Sequence, residues 1–181
     1  MINPAEEMVN IWLQDCQKHF VMSNLVVPKC SRKGQGGKKI GGGRGKEIDF
    51  LSTDGKGNYY WVEVSVSPNP RLPGGADKSM PIFVDDADKK FTDEKLKWLK
   101  NNFKIGLLNK WFVYSPNLFL YFSKKTKTND EEIFRNKLKK LGIDAISFGS
   151  VLSELYDKIN YYGYDWPRQY IFLFKKMGYK K

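Results

Sequence analysis

The stretch from Lys46 to Pro70, KEIDFLSTDGKGNYYWVEVSVSPNP, constrains the fold more than any other part of the chain. Two apolar-alternating arms flank a polar, glycine-containing turn, the pattern of a β-hairpin. Side chains alternate with period 2 along a strand, so Ile48 and Phe50 are expected on one face and Glu47, Asp49 and Leu51 on the other. In the second arm Tyr60, Val62, Val64 and Val66 form an apolar face, opposite Tyr59, Trp61, Glu63, Ser65 and Ser67. A turn centred on Lys56 sets position i against position 112 − i, and therefore Asp49 against Glu63. Directly opposed Cβ atoms lie only ~4.5–5.5 Å apart, and like charges there are destabilising. Either both carboxylates pair with nearby lysines on a solvated face, or a divalent cation sits between them. Hard cations such as Mg²⁺ take oxygen ligands, usually one or two carboxylates together with water and phosphate oxygens. The cation is the working expectation, and on it the loss of either carboxylate in the absence of metal is neutral or stabilising.

The order Gly45-Lys46-Glu47-Ile48-Asp49-Phe50, a turn, and then Trp61-Val62-Glu63-Val64-Ser65 resembles the active-site hairpin of the PD-(D/E)XK, or restriction-endonuclease-like, nuclease superfamily. The resemblance implies that Asp49 is the first metal-binding aspartate and Glu63 the acidic residue of the (D/E)XK tripeptide. Ser65 stands where the superfamily has the lysine that orients and activates the attacking water, and a serine hydroxyl supplies no positive charge. Some members provide that charge from elsewhere, and Lys89, Lys90 and Lys95 lie on the helix expected after the hairpin. Many members also carry a metal-binding glutamate on the first helix, a role open here to Glu6 or Glu7, with Glu7 taken as the candidate. The same two glutamates also suit a helix N-terminus, where negative charge complements the dipole.

The balance of charge is basic: 31 Lys+Arg against 20 Asp+Glu among 181 residues give a formal net charge of +11. That surplus favours a polyanionic partner. Apolar residues at 41% and aromatics at 15% argue for one folded domain rather than disorder. No run suits a membrane span and the acidic N-terminal stretch has no signal-peptide pattern, so a soluble cytoplasmic protein is expected. Cys16 and Cys30 form neither a metal-ligand cluster nor a disulfide framework and read as buried small hydrophobes. His19, the single histidine, is placed on the first helix away from any serine or cysteine motif, which gives no support for a catalytic triad.

In chain order, Asn3-Pro4-Ala5-Glu6 carries helix-start signals, and Met8, Trp12, Cys16 and Phe20 continue at i+4, predicting a helix over 4–20. Residues 24–30 read as a strand. Residues 31–46, SRKGQGGKKIGGGRGK, form a cationic glycine-rich loop with neither a complete Walker A pattern nor a G-x-G-x-x-G spacing. The loop leads straight to Asp49 and is placed to lay Arg32, Lys33, Lys38, Lys39, Arg44 and Lys46 along a phosphate backbone; its bland reading is a solubilising insertion. After the irregular segment 67–81, helical spacing returns over 85–103 with Ala87, Phe91, Trp98, Leu99 and Phe103 inward. Next come a strand at 110–115, an ambiguous run at 117–123, a helix at 130–141 closed by Gly142, and a strand at 143–148. Helical patterning from Val151 is interrupted near Tyr161 to Tyr164 and resumes after Pro167.

These elements predict an α/β fold: a mixed central sheet flanked by helices, parallel in its second half, with a helical C-terminal extension. The order matches the restriction-endonuclease-like αβββαβ core over residues 1–160, with an aromatic and basic extension at 161–181 packed on the same domain. In that extension aromatics beside Lys175 and Lys176 suit stacking on bases or a partner surface, although a helix closing the core accounts for them better. The resulting expectation is a DNA endonuclease dependent on Mg²⁺ or Mn²⁺, with Asp49 and Glu63 as ligands and Glu7 and Ser65 beside them. The alternatives are a catalytically inactive nucleic-acid-binding module of the same fold, and a small basic protein of RNA or the ribosome. Homodimerisation stays open.

Overall fold

The computed structural model describes residues 3–28, 46–66, 83–115, 127–161 and 163–178. Among the described residues five strands form one mixed sheet in the order β1-β2-β3-β4-β5: β1 Phe20–Val27, β2 Lys46–Thr53, β3 Tyr59–Ser65, β4 Leu108–Tyr114 and β5 Ile143–Ser147. The first three pair antiparallel, and β3·β4 and β4·β5 pair parallel. The chain is thus α/β, with helices on both faces of the sheet, as the element order predicted. The basic loop residues Arg32, Lys33, Lys38, Lys39 and Arg44, together with Cys30 and the run 117–123, lie outside the described residues.

On one face helices α1 (Pro4–Ile11) and α5 (Phe148–Lys158) cover the sheet and α6 (Trp166–Lys176) packs on α5, in a core of Val9, Trp12, Leu13, Phe50, Val62, Val64, Val113, Val151, Leu155 and Ile171. On the other face α2 (83–88), α3 (Asp93–Phe103) and α4 (Lys127–Lys140) enclose Ile48, Leu51, Trp61, Ala87, Phe91, Leu99, Phe112 and Leu138. Most core side chains are fully buried. Apolar area removed from water on two faces, at roughly 25 cal/mol per Å², is what holds the layers together.

Helix α1 starts as expected, with the Asn3 side chain accepting from the Ala5 N–H at 3.1 Å and Pro4 in the first turn. It does not run to Phe20. A π-helical turn at Trp12–Cys16 comes next, Lys18 takes a left-handed φ of 59°, and the chain enters β1 at Phe20, which is 74% exposed. His19 accordingly sits past the helix, buried, with Nδ1 3.1 Å from Ser52 Oγ and its ring stacked on Tyr60. The single helix expected over 85–103 is two: Thr92 interrupts it and caps α3, accepting from the Lys95 N–H. An internal N-cap of this kind ends one helix and starts another inside a continuous apolar stripe.

The hairpin turn holds the expected register, with Phe50↔Val62, Leu51↔Trp61, Ser52↔Tyr60 and Thr53↔Tyr59 all summing to 112. Asp54 fixes it by accepting from the N–H groups of Lys56 and Asn58 and from the Asn58 amide, while Gly55 and Gly57 supply φ values of 75° and 95°. The facing pattern of β2 differs from simple alternation. Ile48 and Leu51 enter the same cluster, while Phe50 enters the other. The β1·β2 ladder runs from Phe20↔Thr53 to Ser23↔Phe50 and resumes at Leu25↔Ile48, stepping over Asn24 and Asp49. Asn24 has a φ of 54°, and a left-handed residue inside a strand rotates the remainder of that strand. Val21 packs on one face, and Leu25 and Val27 on the other. Both strands therefore exchange faces at Asn24 and Asp49, where the proposed first acidic residue stands.

Candidate active site

Beyond Phe50↔Val62 the backbone ladder between β2 and β3 stops, and side chains take over its bonds. Asp49 Oδ2 accepts from the Val64 N–H at 2.7 Å, and Lys90 Nζ donates to the Val64 carbonyl at 2.8 Å. The strands part where the two carboxylates lie, and Lys90, from the turn after α2, reaches into the opening. Its ammonium stands 3.5 Å from Asp49 Oδ2 and 3.6 Å from Glu63 Oε2. Glu63 is 2% exposed, and its Oε1 accepts from Lys95 Nζ and from the Trp61 indole N–H, each at 2.8 Å. Two carboxylates from adjacent strands thus converge on one cationic position. Burial, and then the charge of Asp49, push the Glu63 carboxyl above its ordinary range, while Lys95 and Lys90 pull it back.

The repulsion expected between Asp49 and Glu63 is compensated by protein ammonium groups. Of the three lysines after the hairpin, Lys90 and Lys95 enter the site, whereas Lys89 pairs with Asp85 on the surface. Ser65 ends β3, half-buried, and takes no part in the hydrogen bonds that join Asp49, Glu63, Lys90 and Lys95. Lys46 pairs with Glu94 at 2.6 Å at the start of β2.

Helix α1 brings Glu6 and Glu7 to the same region. A cleft of about 580 Å³ is lined by Asn3, Glu6, Glu7, Asn10, Glu47 and Asp49 among others. Burial raises the Glu6 carboxyl, as do the charges of Asp49 and Glu47, against the lowering effects of its bond from Asn3 and the charge of Lys90. Glu7 lines the cleft with its Oε2 engaged, accepting from the Trp166 indole N–H at 2.5 Å. Glu6 is therefore the first-helix glutamate electrostatically coupled to Asp49.

Among the described residues no cluster of three or more His, Cys, Asp or Glu is arranged as a metal site. The fit to a hard cation rests on two carboxylates, and Mg²⁺ commonly uses no more than one or two. The donor set suits it: Glu63 Oε2 and Asp49 Oδ2 already flank a positive charge, and the bonds from Val64 and Lys90 both go to Oδ2 rather than Oδ1 of Asp49. Lys90 would have to withdraw for the carboxylates to close on an ion at ~2.0–2.1 Å.

No family model matches the chain, and no curated protein matches it. A crystal structure described as a protein of unknown function is similar at a TM-score of 0.41 and 14% identity, over 97% of this chain and 67% of that one. Among the described residues no helix is long and apolar enough to cross a membrane.

Proposed function

We propose that the chain is a divalent-metal-dependent DNA endonuclease built on a restriction-endonuclease-like core, with Asp49 and Glu63 as the metal ligands. One observation carries the reading: Asp49 and Glu63, on neighbouring strands, both face the Lys90 ammonium beside a cleft that also receives Glu6 and Glu7. The antiparallel β1·β2·β3 followed by parallel β4 agrees with the αβββαβ order. When bound, Mg²⁺ or Mn²⁺ would polarise the phosphate, lower the pKa of a water and stabilise the leaving oxygen. The chain's own groups then hold the geometry. Lys95 and Trp61 fix Glu63 Oε1, which leaves Oε2 toward the site, and the Val64 N–H fixes Asp49. Lys90, once withdrawn from between the carboxylates to admit the ion, would supply beside them the positive charge that Ser65 lacks and hold the attacking water or a non-bridging phosphate oxygen. Glu6 lies where a further acidic group acts on Asp49. Hydrolysis forms a bond from the water oxygen to phosphorus and breaks the bond to the leaving oxygen, which recovers a proton.

A second reading, a catalytically inactive nucleic-acid-binding module, is favoured by the same ammonium, because Lys90 itself neutralises the carboxylate pair. Plasmid cleavage with Mg²⁺ and with Mn²⁺ decides between them. The enzyme reading requires cleavage by wild type that is lost in Asp49→Asn and in Glu63→Gln. Cleavage retained in either variant removes the metal site, and wild type inert under both metals leaves the binding module.

A further inference from the structure

We infer that the flank of α6 beside its buried Pro167 and Ile171 is a stacking platform for single-stranded nucleic acid running to the rim of the active-site cleft, an inference that rests on the nuclease reading and narrows its substrate. Trp166, Tyr170 and Phe174 lie at i, i+4 and i+8 on one helix face and are 38%, 53% and 47% exposed. Ring centroids are 5.9 Å apart from Trp166 to Tyr170 and 6.2 Å from Tyr170 to Phe174, so the rings form one continuous row. Eight residues of helix span about 12 Å, the rise of three to four stacked nucleotides at ~3.4 Å each. The residues that α6 buries are Pro167 and Ile171, so the row lies outside the stripe that covers the core.

Two further observations select the ligand. The row is tied to the cleft: the Trp166 indole donates to Glu7, which lines the cleft together with Asp49. A strand lying over the rings is led from Phe174 through Trp166 toward the carboxylates. The helix also has no acidic residue and belongs to a chain of net charge +11, although its own Arg168 is taken up by Asp15 and Asp165 and its Lys175 by the carbonyls of Tyr156 and Ile159. Leu173 and Met177 extend the same exposed surface and give it an apolar margin. Exposed aromatic side chains bind unpaired bases with little sequence preference, since every base presents a π-face. Duplex DNA hides those faces inside its stack. The platform therefore selects substrates with unpaired strands, such as flaps, frayed ends or gaps.

The test is fluorescence anisotropy of a labelled oligothymidylate and of a labelled duplex of the same length. It is run in EDTA so that no cleavage occurs, with the wild-type chain and the variant Tyr170→Ala/Phe174→Ala. Both substituted side chains are about half exposed, and circular dichroism checks that the fold is kept. Loss of one stacked base weakens binding by roughly five- to 150-fold, so single-strand affinity should fall at least tenfold while duplex affinity changes less than twofold. Trp166→Phe should reduce the quenching of tryptophan fluorescence by the oligonucleotide. Unchanged single-strand affinity in the double variant overturns the platform, as does an equal loss on duplex. A variant that binds DNA normally but loses self-association in sedimentation assigns the face to a second copy of the chain and also overturns it. Loss of binding to anionic phosphatidylserine vesicles, with DNA binding kept, does the same for a membrane surface. Because no step needs catalysis, a wild type that binds through α6 and cleaves nothing keeps the platform and rejects the nuclease. A wild type that cleaves with α6 irrelevant does the reverse.

Discussion

Lys95 and Glu63 form an ion pair at 2.8 Å with side chains only 7% and 2% exposed. The same Glu63 oxygen accepts from the Trp61 indole, and the Lys95 ammonium stands 5.6 Å from the centre of a Trp61 ring. Two charges taken out of water are tolerated only when each completes the other, and removing one partner from such a pair costs about 3–5 kcal/mol. Lys95→Ala should therefore destabilise the protein by about 3 kcal/mol at pH 7. The sign with pH is set by Glu63, whose carboxyl is raised by burial and by Asp49. A raised carboxyl takes up a proton on folding, so its burden grows as pH climbs from its unfolded value toward its folded one. Without Lys95 that burden is larger, and the loss should shrink as Glu63 is protonated in acid. Urea unfolding at pH 7 and pH 5 reads both effects, and a loss below about 1 kcal/mol at both would show the pair to be dispensable.

The two carboxylates should respond differently to neutralisation. Opposed like charges by themselves imply relief on losing either one. The contacts change that for Glu63, because Glu63→Gln leaves Lys95 buried without a counter-charge and should cost about 2 kcal/mol or more. Asn at position 49 still accepts from the Val64 N–H, so Asp49→Asn should stay within about 1 kcal/mol of wild type. Thermal melts without metal separate the cases, and equal effects would contradict the asymmetry.

These contacts explain why the site was half legible. The register was readable because an Asp-Gly-Lys-Gly-Asn turn admits few geometries, and that register set Asp49 opposite Glu63. The exchange of faces was not, because it hangs on the left-handed backbone of Asn24, which no hydrophobic pattern encodes. Lysines near α3 look like solvated charge, yet Phe91, Lys95 and Leu99 share one i, i+4 stripe, and a lysine between two core residues was the available signal. Lys90 gave no such sign, since its reach depends on the turn that Thr92 imposes between α2 and α3. The bond from Trp166 to Glu7 joins residues 159 apart, beyond any local pattern.

Helix α6 is locked by Arg168, whose Nε and a terminal nitrogen each donate to Asp15 at 2.8 Å. That bidentate contact holds the Asp15 carboxyl below its ordinary range. A lowered carboxyl adds stability above its unfolded value and loses it as pH falls through the folded one. Asp15→Asn should therefore weaken the protein at neutral pH, with the difference from wild type vanishing in acid. Gly163 guards the same lock, because a Cβ there would lie 2.6 Å from Arg168 Cβ. Gly163→Ala should lower the melting temperature by several degrees, as a loss of about 1–2 kcal/mol would. Melts as stable as wild type would show that α6 adjusts freely.

The glycine-rich stretch before β2 concentrates positive charge next to the site in sequence. Basic side chains on phosphates release counterions, so DNA affinity should fall linearly in log–log form as salt rises. Neutralising Lys38, Lys39 and Arg44 together should reduce the slope by about three if all three touch the backbone. An unchanged slope would assign that stretch to solubility.

Lys90 decides whether Ser65 is a gap or a rearrangement. Its ammonium lies between the carboxylates and holds the Val64 carbonyl, whereas Lys89 lies on the surface beside Asp85. General acid–base assistance and positioning of a water contribute about 10²–10⁴-fold to a hydrolytic rate. In an active enzyme with a relocated lysine, Lys90→Gln should lower kcat by at least a hundredfold with modest effect on DNA affinity, and Lys89→Gln should change nothing. Lys95→Gln should lower activity together with stability, because it acts through Glu63. Ser65→Lys, two residues beyond Glu63, should restore part of the activity lost in Lys90→Gln if the position only needs a positive charge near the water. Single-turnover cleavage, with affinity measured separately, reads these outcomes. If wild type is inert but Lys90→Gln binds Mn²⁺ more tightly, the ammonium has taken the place of the metal and the module binds without cutting. Full cleavage in Lys90→Gln without rescue would remove the lysine from the chemistry and leave Glu6 or Ser65 to place the water.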